Sequence, residues 1–398
     1  MRVLEILERR FQLREHETTV SRELLGGLTT FLTMSYIIFV EPGVLRQAGM
    51  DFQAVMLATC VASALATFLM AFAANYPVAL APGMGENVFF AYTLCGAYGL
   101  SWQQALAATF LAGAAFMILS VVGLRSRIVN AIPGSLKTGI AAGIGLFITL
   151  IGLEYGKLIA PHPVTLVQLG DLTSPVALTT LAGLVLTLAL TALGVRGAIL
   201  LGILGSTVVA AAFGLVRYSG IASMPSGLAA TFGQLDFAGL FRLDAPTIGV
   251  VVFVLFFLAL FDTVGTLVGV GRQAGLMKNG TLPRAERALF SDAAGTVAGA
   301  VLGTSTITCY IESAAGVADG ARTGLASLAT GALLLVSALF APLASMIGGG
   351  IATPDGGAAY PTLAPALILV GSMMMRSVRE MEWDDPTEAI PAFLTLVL

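Results

Sequence analysis

Apolar residues in this chain run in long blocks rather than alternating with polar ones. Ala54–Gly85 and Ala177–Val195 contain no Asp, Glu, Lys or Arg at all. A hydrocarbon core about 30 Å thick takes roughly 20 apolar residues as helix, and blocks of this length fit it. Hydropathy and turn signals together predict about thirteen spans, with cores near 24–40, 53–73, 77–98, 103–123, 135–153, 175–194 and 196–216, then 248–271, 288–301, 303–317, 323–346, 359–375 and 388–398. Phe393–Leu398 is still apolar at the end of the chain, so the last span is expected to be cut short. Ahead of the first span, residues 1–22 are charged and amphipathic, which suggests a cytoplasmic or interfacial helix.

Composition excludes the soluble alternative. Hydrophobic residues make up 57% and charged residues 11% of the 398 residues, whereas a soluble domain carries about a quarter charged residues. The formal net charge of −3 comes without any basic run, which argues against nucleic acid. Cys60, Cys95 and Cys309 stand alone in apolar segments and read as small hydrophobes rather than disulfides or metal ligands. With only His16 and His162 available, no metal or cofactor is expected. The chain has no P-loop and no hydrolase signature, so neither ATP-driven transport nor enzyme activity has a motif to rest on.

Charge also orients the chain. With the N-terminus in the cytoplasm, alternate loops place Arg2, Arg9, Arg10, Arg14, Arg22, Arg125, Arg127, Lys137, Arg196, Arg272, Lys278, Arg284, Arg287, Arg322, Arg376 and Arg379 inside. Arg46, Lys157, Arg217 and Arg242 fall outside, so 16 and 4 account for all 20 basic residues. That asymmetry is the one expected of a multi-pass protein of the cell membrane with a cytoplasmic N-terminus.

Two spans are poor helices. The third begins NYPVALAPGMGENVFFAY and the tenth GAVLGTSTITCYIESAAG. Gly and Pro break the helical hydrogen-bond ladder, and Thr, Ile and Val favour extended backbone. Irregular backbone at membrane depth persists only where protein buries it or it lines a cavity. Two such segments seven spans apart are the pattern of inverted repeats with a binding site between them, the alternative being two kinked helices without a site.

Four acidic residues fall within spans: Glu86, Asp262, Asp292 and Glu312. A charge at mid-bilayer costs at least about 2.5–3.5 kcal/mol, so such residues usually serve function. Carboxylates in a dry site can exchange protons near neutral pH, and they accept hydrogen bonds from the N–H groups of a heterocyclic base. Glu312 and Asp262 read as functional, Glu86 as evenly balanced between function and structure, and Asp292 as structural. Phe89, Phe90 and Tyr310 could stack on a planar ring, although aromatic residues in membrane helices more often pack.

The segments MSYIIFVEPGVL, NYPVALAPGMGENVFFAY, NAIPGSLKTGIAAGIGLFI, LFDTVGTLVGVGRQAGL and LGTSTITCYIESAAGVADGARTGL resemble the AzgA-like purine permeases of the nucleobase–ascorbate (nucleobase:cation symporter) superfamily, from about Glu23 to Pro391. The resemblance implies an all-α polytopic protein with the fourteen-span, uracil-transporter-like fold. That fold consists of two inverted seven-span repeats with short strands in spans 3 and 10. It implies a terminal segment 1–22, core-domain segments 23–125 and 248–346, gate segments 126–217 and 347–398, and an extracytoplasmic connection over 218–247. Carried over by motif, the substrate site holds Asp262, Glu312, Asn87, Tyr310, Ile311 and Phe89, with Glu312, Asp262 and Glu86 as proton-coupling candidates. Many relatives carry an acid where this chain has Ala259 and an apolar residue where it has Glu86, and the 345–367 loop is longer than the family pattern.

The implied function is import of hypoxanthine, guanine or adenine by proton symport, with sodium left open as coupling ion and a homodimer allowed for. The alternatives are a same-fold carrier of uracil, xanthine or an anion, and a non-transporting receptor, scaffold or channel.

Overall fold

Residues 2–122, 134–216, 218–277, 281–353 and 358–397 are described by the computed structural model of the chain. Arg125, Arg127, Arg217 and Lys278, the boundary expected at 125–126 and part of the 345–367 loop lie outside them. The chain divides into two compact units, each built from two separated stretches. Met1–Arg125 joins Ile221–Ala341, and Ser126–Gly220 joins Pro342–Leu398.

Among the described residues, seven helices are long and apolar enough to cross a membrane: Val20–Ala48 (with a break), Phe52–Ala73, Trp102–Ser120, Gly134–Tyr155, Pro175–Ala192, Ala245–Gln273 and Gly324–Gly348. The protein is thus a mostly helical, polytopic membrane protein. The other expected spans form shorter or broken elements. Segments 196–216, 359–375 and 388–398 form helices Ala198–Ala212, Ala364–Met374 and Pro386–Val397, and 288–301 forms Ala285–Leu302. Segments 77–98 and 303–317 each combine a strand with a short helix.

The first unit opens with α1 (Arg2–Phe11), α2 (Val20–Met34), α3 (Ile37–Leu45) and α4 (Phe52–Ala73). Strand β1 (Leu80–Pro82), helix α5 (Met84–Val88), wide π-type turns over Phe89–Ala97 and α6 (Trp102–Val122) follow. Its second stretch holds α7 (Ala245–Gln273), α8 (Ala285–Leu302), β2 (Ile307–Cys309), α9 (Ser313–Ala318) and α10 (Gly324–Ser337). The chain between α1 and α2 is anchored by packing: Phe11 and Leu13 are buried against Leu325, and the Asn75 amide donates to the Phe11 carbonyl at 3.0 Å.

The two strands pair antiparallel, with Leu80 opposite Cys309, Ala81 opposite Thr308 and Pro82 opposite Ile307. A lone two-stranded ribbon is marginal in water and would leave edge groups unsatisfied in lipid. Each strand is therefore clamped by a threonine of the preceding helix. Thr67 of α4 accepts from Leu80 N at 2.9 Å and donates to Leu80 O at 3.1 Å. Thr296 of α8 accepts from Ile307 N at 3.2 Å and donates to Ile307 O at 2.9 Å. A single hydroxyl can do both because it is donor and acceptor at once.

In the second unit, helix Gly134–Tyr155 packs against Ala364–Met374 through small residues. A Cβ at Gly145 would stand 2.7 Å from the Gly371 carbonyl. This close backbone approach replaces the hydrophobic drive that membrane helices lack. The Tyr155 and Tyr360 rings meet at a tilt of 34°, with their centres 4.6 Å apart. Helices Pro175–Ala192 and Ala198–Ala212 turn Leu178, Val185, Leu188 and Val208 outward, as lipid-facing surfaces do.

Candidate functional site

The strand pair sets the geometry. It ends β1 at Gly83, whose N–H donates to Thr306 O at 2.9 Å, and β2 just before Tyr310, whose N–H donates to Ala79 O at 2.9 Å. Short helices then start on both chains, α5 with Glu86 and Asn87 in it and α9 immediately after Glu312. At Gly83 the Glu86 carboxylate folds back into the space a Cβ would fill. Such a Cβ would also stand 3.0 Å from Thr308 Oγ1.

A closed polar network adjoins the strands through Thr304 and Ser305. Glu41 in α3 is fully buried. Its carboxylate accepts from Asn87 Nδ2 at 2.8 Å, Thr304 Oγ1 at 3.0 Å and Ser305 N at 3.2 Å. Thr304 is joined in turn to Thr59 of α4, oxygen to oxygen 3.0 Å apart. One carboxylate therefore ties the first span to both interrupted spans. Asp292 is also enclosed and takes the Thr263 hydroxyl, linking α8 to α7.

Asp262 and Glu312 are placed differently. Thr263 is buried, whereas Asp262, about 100° round the helix from it, has exposed surface and meets the Thr308 hydroxyl of β2. Glu312 is half-buried and accepts from the Tyr36 hydroxyl at 2.6 Å. Tyr36 is itself buried, at the break between α2 and α3, with its ring centre 6.4 Å from that of Tyr310. The Tyr310 hydroxyl donates to Pro82 O at 2.5 Å and lies within electrostatic reach of Glu312, Glu41, Asp262 and Glu86. Four carboxyl groups from four helical segments thus gather around one strand pair.

Of the residues expected in the site, Asp262, Glu312, Glu86 and Tyr310 are brought together here. Asn87 is enclosed and bound to Glu41, Phe89 is half-buried at the start of the π-type turns, and the Ile311 side chain is 53% exposed. Glu41 and Tyr36 were not anticipated. The first span was expected to end at residue 40, which left Glu41 in a loop. In fact α3 runs through Glu41 and Pro42 to Leu45. The apolar run IIFVEPGVL on both sides of Glu41 was the available signal. Glu23 is a second enclosed acid not counted among those within spans. It accepts from Arg322 N at 2.8 Å, Thr323 N at 3.2 Å and Ala326 N at 3.3 Å and so caps α10. Among the described residues, no group of three or more His, Cys, Asp or Glu is arranged to hold a metal ion.

A buried ribbon flanked by carboxyls in a polytopic helical protein is the architecture of a membrane transporter. The profile of the Permease family matches residues 21–397, and the chain belongs to that family; it is a permease and not an enzyme. More particularly, the assignment to the nucleobase–ascorbate transporter superfamily holds. The chain is 47% identical over 397 residues to the putative permease MJ0326 of Methanocaldococcus jannaschii, covering 99% of this chain and 88% of that one. It is 42% identical to the guanine/hypoxanthine permease PbuO of Bacillus subtilis (strain 168), with coverage of 97% and 88%. It is 41% identical to the adenine permease AdeP of Escherichia coli (strain K12), with coverage of 99% and 85%. Among solved structures, the transmembrane domain of the cyanobacterial bicarbonate transporter BicA superposes with a TM-score of 0.70 at 17% identity. That match covers 95% of this chain and 94% of that one, and it shows a shared fold.

Proposed function

We propose that this permease imports purine nucleobases (hypoxanthine, guanine or adenine) across the cell membrane by proton symport. The observation that carries the proposal is the strand pairing of Leu80–Pro82 with Ile307–Cys309, which gathers Glu86, Asp262 and Glu312 at one locus. Relatives at 41–42% identity named for guanine, hypoxanthine and adenine supply the substrate class. A purine offers ring N–H donors beside carbonyl or ring-nitrogen acceptors. Asp262, exposed, and Glu312, steered by Tyr36, are acceptors for those donors, while Tyr310, Phe89 and the Ile311 backbone border the ring. A proton taken up by one of the three carboxyls offsets charge during entry and leaves on the low-proton side, which couples the two fluxes.

In this reading the unit containing the strands is the core domain and the other unit the gate, the N-terminus is cytoplasmic, and a homodimer is allowed for. The two threonine clamps support an inverted-repeat origin, because Thr67 and Thr296 do the same task on β1 and β2 in corresponding halves.

The test is uptake of radiolabelled hypoxanthine by proteoliposomes. Accumulation is expected with an acidic exterior and is expected to collapse when a protonophore dissipates the gradient. Competition by unlabelled guanine and adenine, but not by uracil or bicarbonate, fixes the substrate class. Uptake that responds to uracil alone would replace the substrate, and uptake driven by sodium without a pH gradient would replace the coupling ion.

A further inference from the structure

Between helices Gly134–Tyr155 and Pro175–Ala192 the chain makes a β-hairpin rather than a polar loop. Strands Ile159–His162 and Leu166–Leu169 pair antiparallel, with Ile159 opposite Leu169, Ala160 opposite Gln168, Pro161 opposite Val167 and His162 opposite Leu166. Opposed residues share a face and successive residues alternate between faces. Ile159, Pro161, Val167 and Leu169 therefore form one side, and Ala160, His162, Leu166 and Gln168 the other. The first side is wholly apolar. Residues 158–170 include no Asp, Glu, Lys or Arg, yet Leu169 is 72% exposed and Val164, in the turn, 82%. Leu166 is 80% exposed and holds a φ of 66°, a left-handed conformation that glycine or asparagine adopts at less cost. An uncharged ribbon of uncovered large apolar side chains is a poor surface for bulk water.

We infer that this hairpin lies on the bilayer, with its apolar side seated at the boundary between headgroups and acyl chains, and so pins the adjoining ends of both spans at the membrane surface. Position comes first. The ribbon closes at its base where Gly170 N donates to Leu158 O at 2.8 Å, three residues beyond the end of helix Gly134–Tyr155. The span that follows it turns Leu178 and Val185 outward to lipid, so the hairpin joins directly onto lipid-facing surface. Depth follows from the hydrogen bonds. Val164 N and Thr165 N both donate to His162 Nδ1, at 3.3 and 3.1 Å, and the Thr165 hydroxyl donates to Val167 O at 2.9 Å, so the turn satisfies itself. The outer edges of a two-stranded ribbon stay unpaired, which hydrocarbon forbids and a hydrated headgroup layer allows. A second copy of the chain is a poorer occupant. Eight strand residues present roughly a few hundred Å² of apolar surface, against about 800 Å² per partner in a standard interface. The inference goes beyond the transport reading and does not rest on it.

The experiment places a fluorescent reporter on each side of the ribbon in proteoliposomes. The chain has two tryptophans, Trp102 and Trp383, and both are replaced by Phe before Leu169→Trp or Gln168→Trp is introduced. Leu169→Trp is expected to emit further to the blue, to be quenched by phospholipid brominated near the top of the acyl chain, and to be shielded from iodide. Gln168→Trp is expected to show the reverse. A second arm keeps both native tryptophans and follows alkylation of Leu169→Cys and Gln168→Cys by a membrane-impermeant maleimide, with the wild-type rate subtracted. Leu169→Cys is expected to react about tenfold more slowly, as a side chain sunk roughly 5–10 Å into the boundary would. Equal iodide access at the two positions, or equal alkylation rates, would overturn the inference by placing the ribbon in water. Protection of position 169 from both iodide and brominated lipid would overturn it too, because protein would then be the occupant.

Discussion

Around the paired strands, Glu41 and Asp292 are enclosed and already hydrogen-bonded to protein. By contrast, Asp262 is exposed, and Glu312 is half-buried with the Tyr36 hydroxyl steering it. Both pairs lie within apolar sequence, and hydropathy does not distinguish them. The enclosed acids hold elements together, and their removal strands the donors that face them. The open acids each meet a protein hydroxyl, Thr308 for Asp262 and Tyr36 for Glu312, and keep lone pairs that can accept from a ligand. Stability and transport should therefore separate cleanly between the two groups, and the following variants test that division.

The largest effect is expected from Glu41→Ala. It strands the Asn87 amide, the Thr304 hydroxyl and the Ser305 N–H in a dry interior. At about 1–3 kcal/mol each, the total loss comes to roughly 3 kcal/mol or more. A fall of many degrees in the detergent melting midpoint, or failure to insert, is the expected result, and an unchanged midpoint would erase the distinction. Asp262→Ala comes next, with the opposite signature. Uptake should drop by about a hundredfold, on the scale of a lost charge-assisted contact, while the midpoint moves little. If Asp262→Ala melts early and transports normally, the roles are reversed.

Tyr36→Phe sharpens the comparison within the open group. It removes one hydrogen bond to Glu312 without opening a cavity, so the KM for uptake should rise about three- to tenfold with the midpoint preserved. A change in maximal rate alone would point to a role in the conformational step instead. The smallest effect belongs to a control outside the site. Asp244 caps α7, the helix that carries Asp262, and accepts from Thr247 N at 3.0 Å and from the Thr247 hydroxyl at 2.8 Å. The backbone and then the side chain of Thr247 hold the Asp244 carboxyl below the usual range. A carboxyl with a lowered folded-state pKa stabilises above its unfolded value and loses that contribution as the pH falls through the folded one. Asp244→Ala should therefore melt slightly below wild type at neutral pH, and the difference should vanish in strong acid. A gap that widens on acidification would contradict the cap.

Much of this arrangement was legible in the residues. Long uncharged blocks imposed a membrane, because a chain with so few charges cannot clothe itself in water. Gly, Pro and the Thr-rich run marked the two broken spans, and the rarity of acids at membrane depth singled out Asp262 and Glu312. The expected thirteen spans were less secure, since Gly and Pro shorten segments that remain apolar; only seven helices among those described are long enough to cross.

What the sequence alone determined is therefore the class of environment: which stretches leave water, where the helix must break, and which side chains are costly there. Those are sums over neighbours along the chain. Only the tertiary structure decided which acid is enclosed and which is open, because that depends on partners far off in sequence. Glu41 meets Thr304 across 263 positions, and Tyr36 meets Glu312 across 276. A hydropathy window cannot see such partners, and they alone supply the donors that make a buried carboxylate affordable.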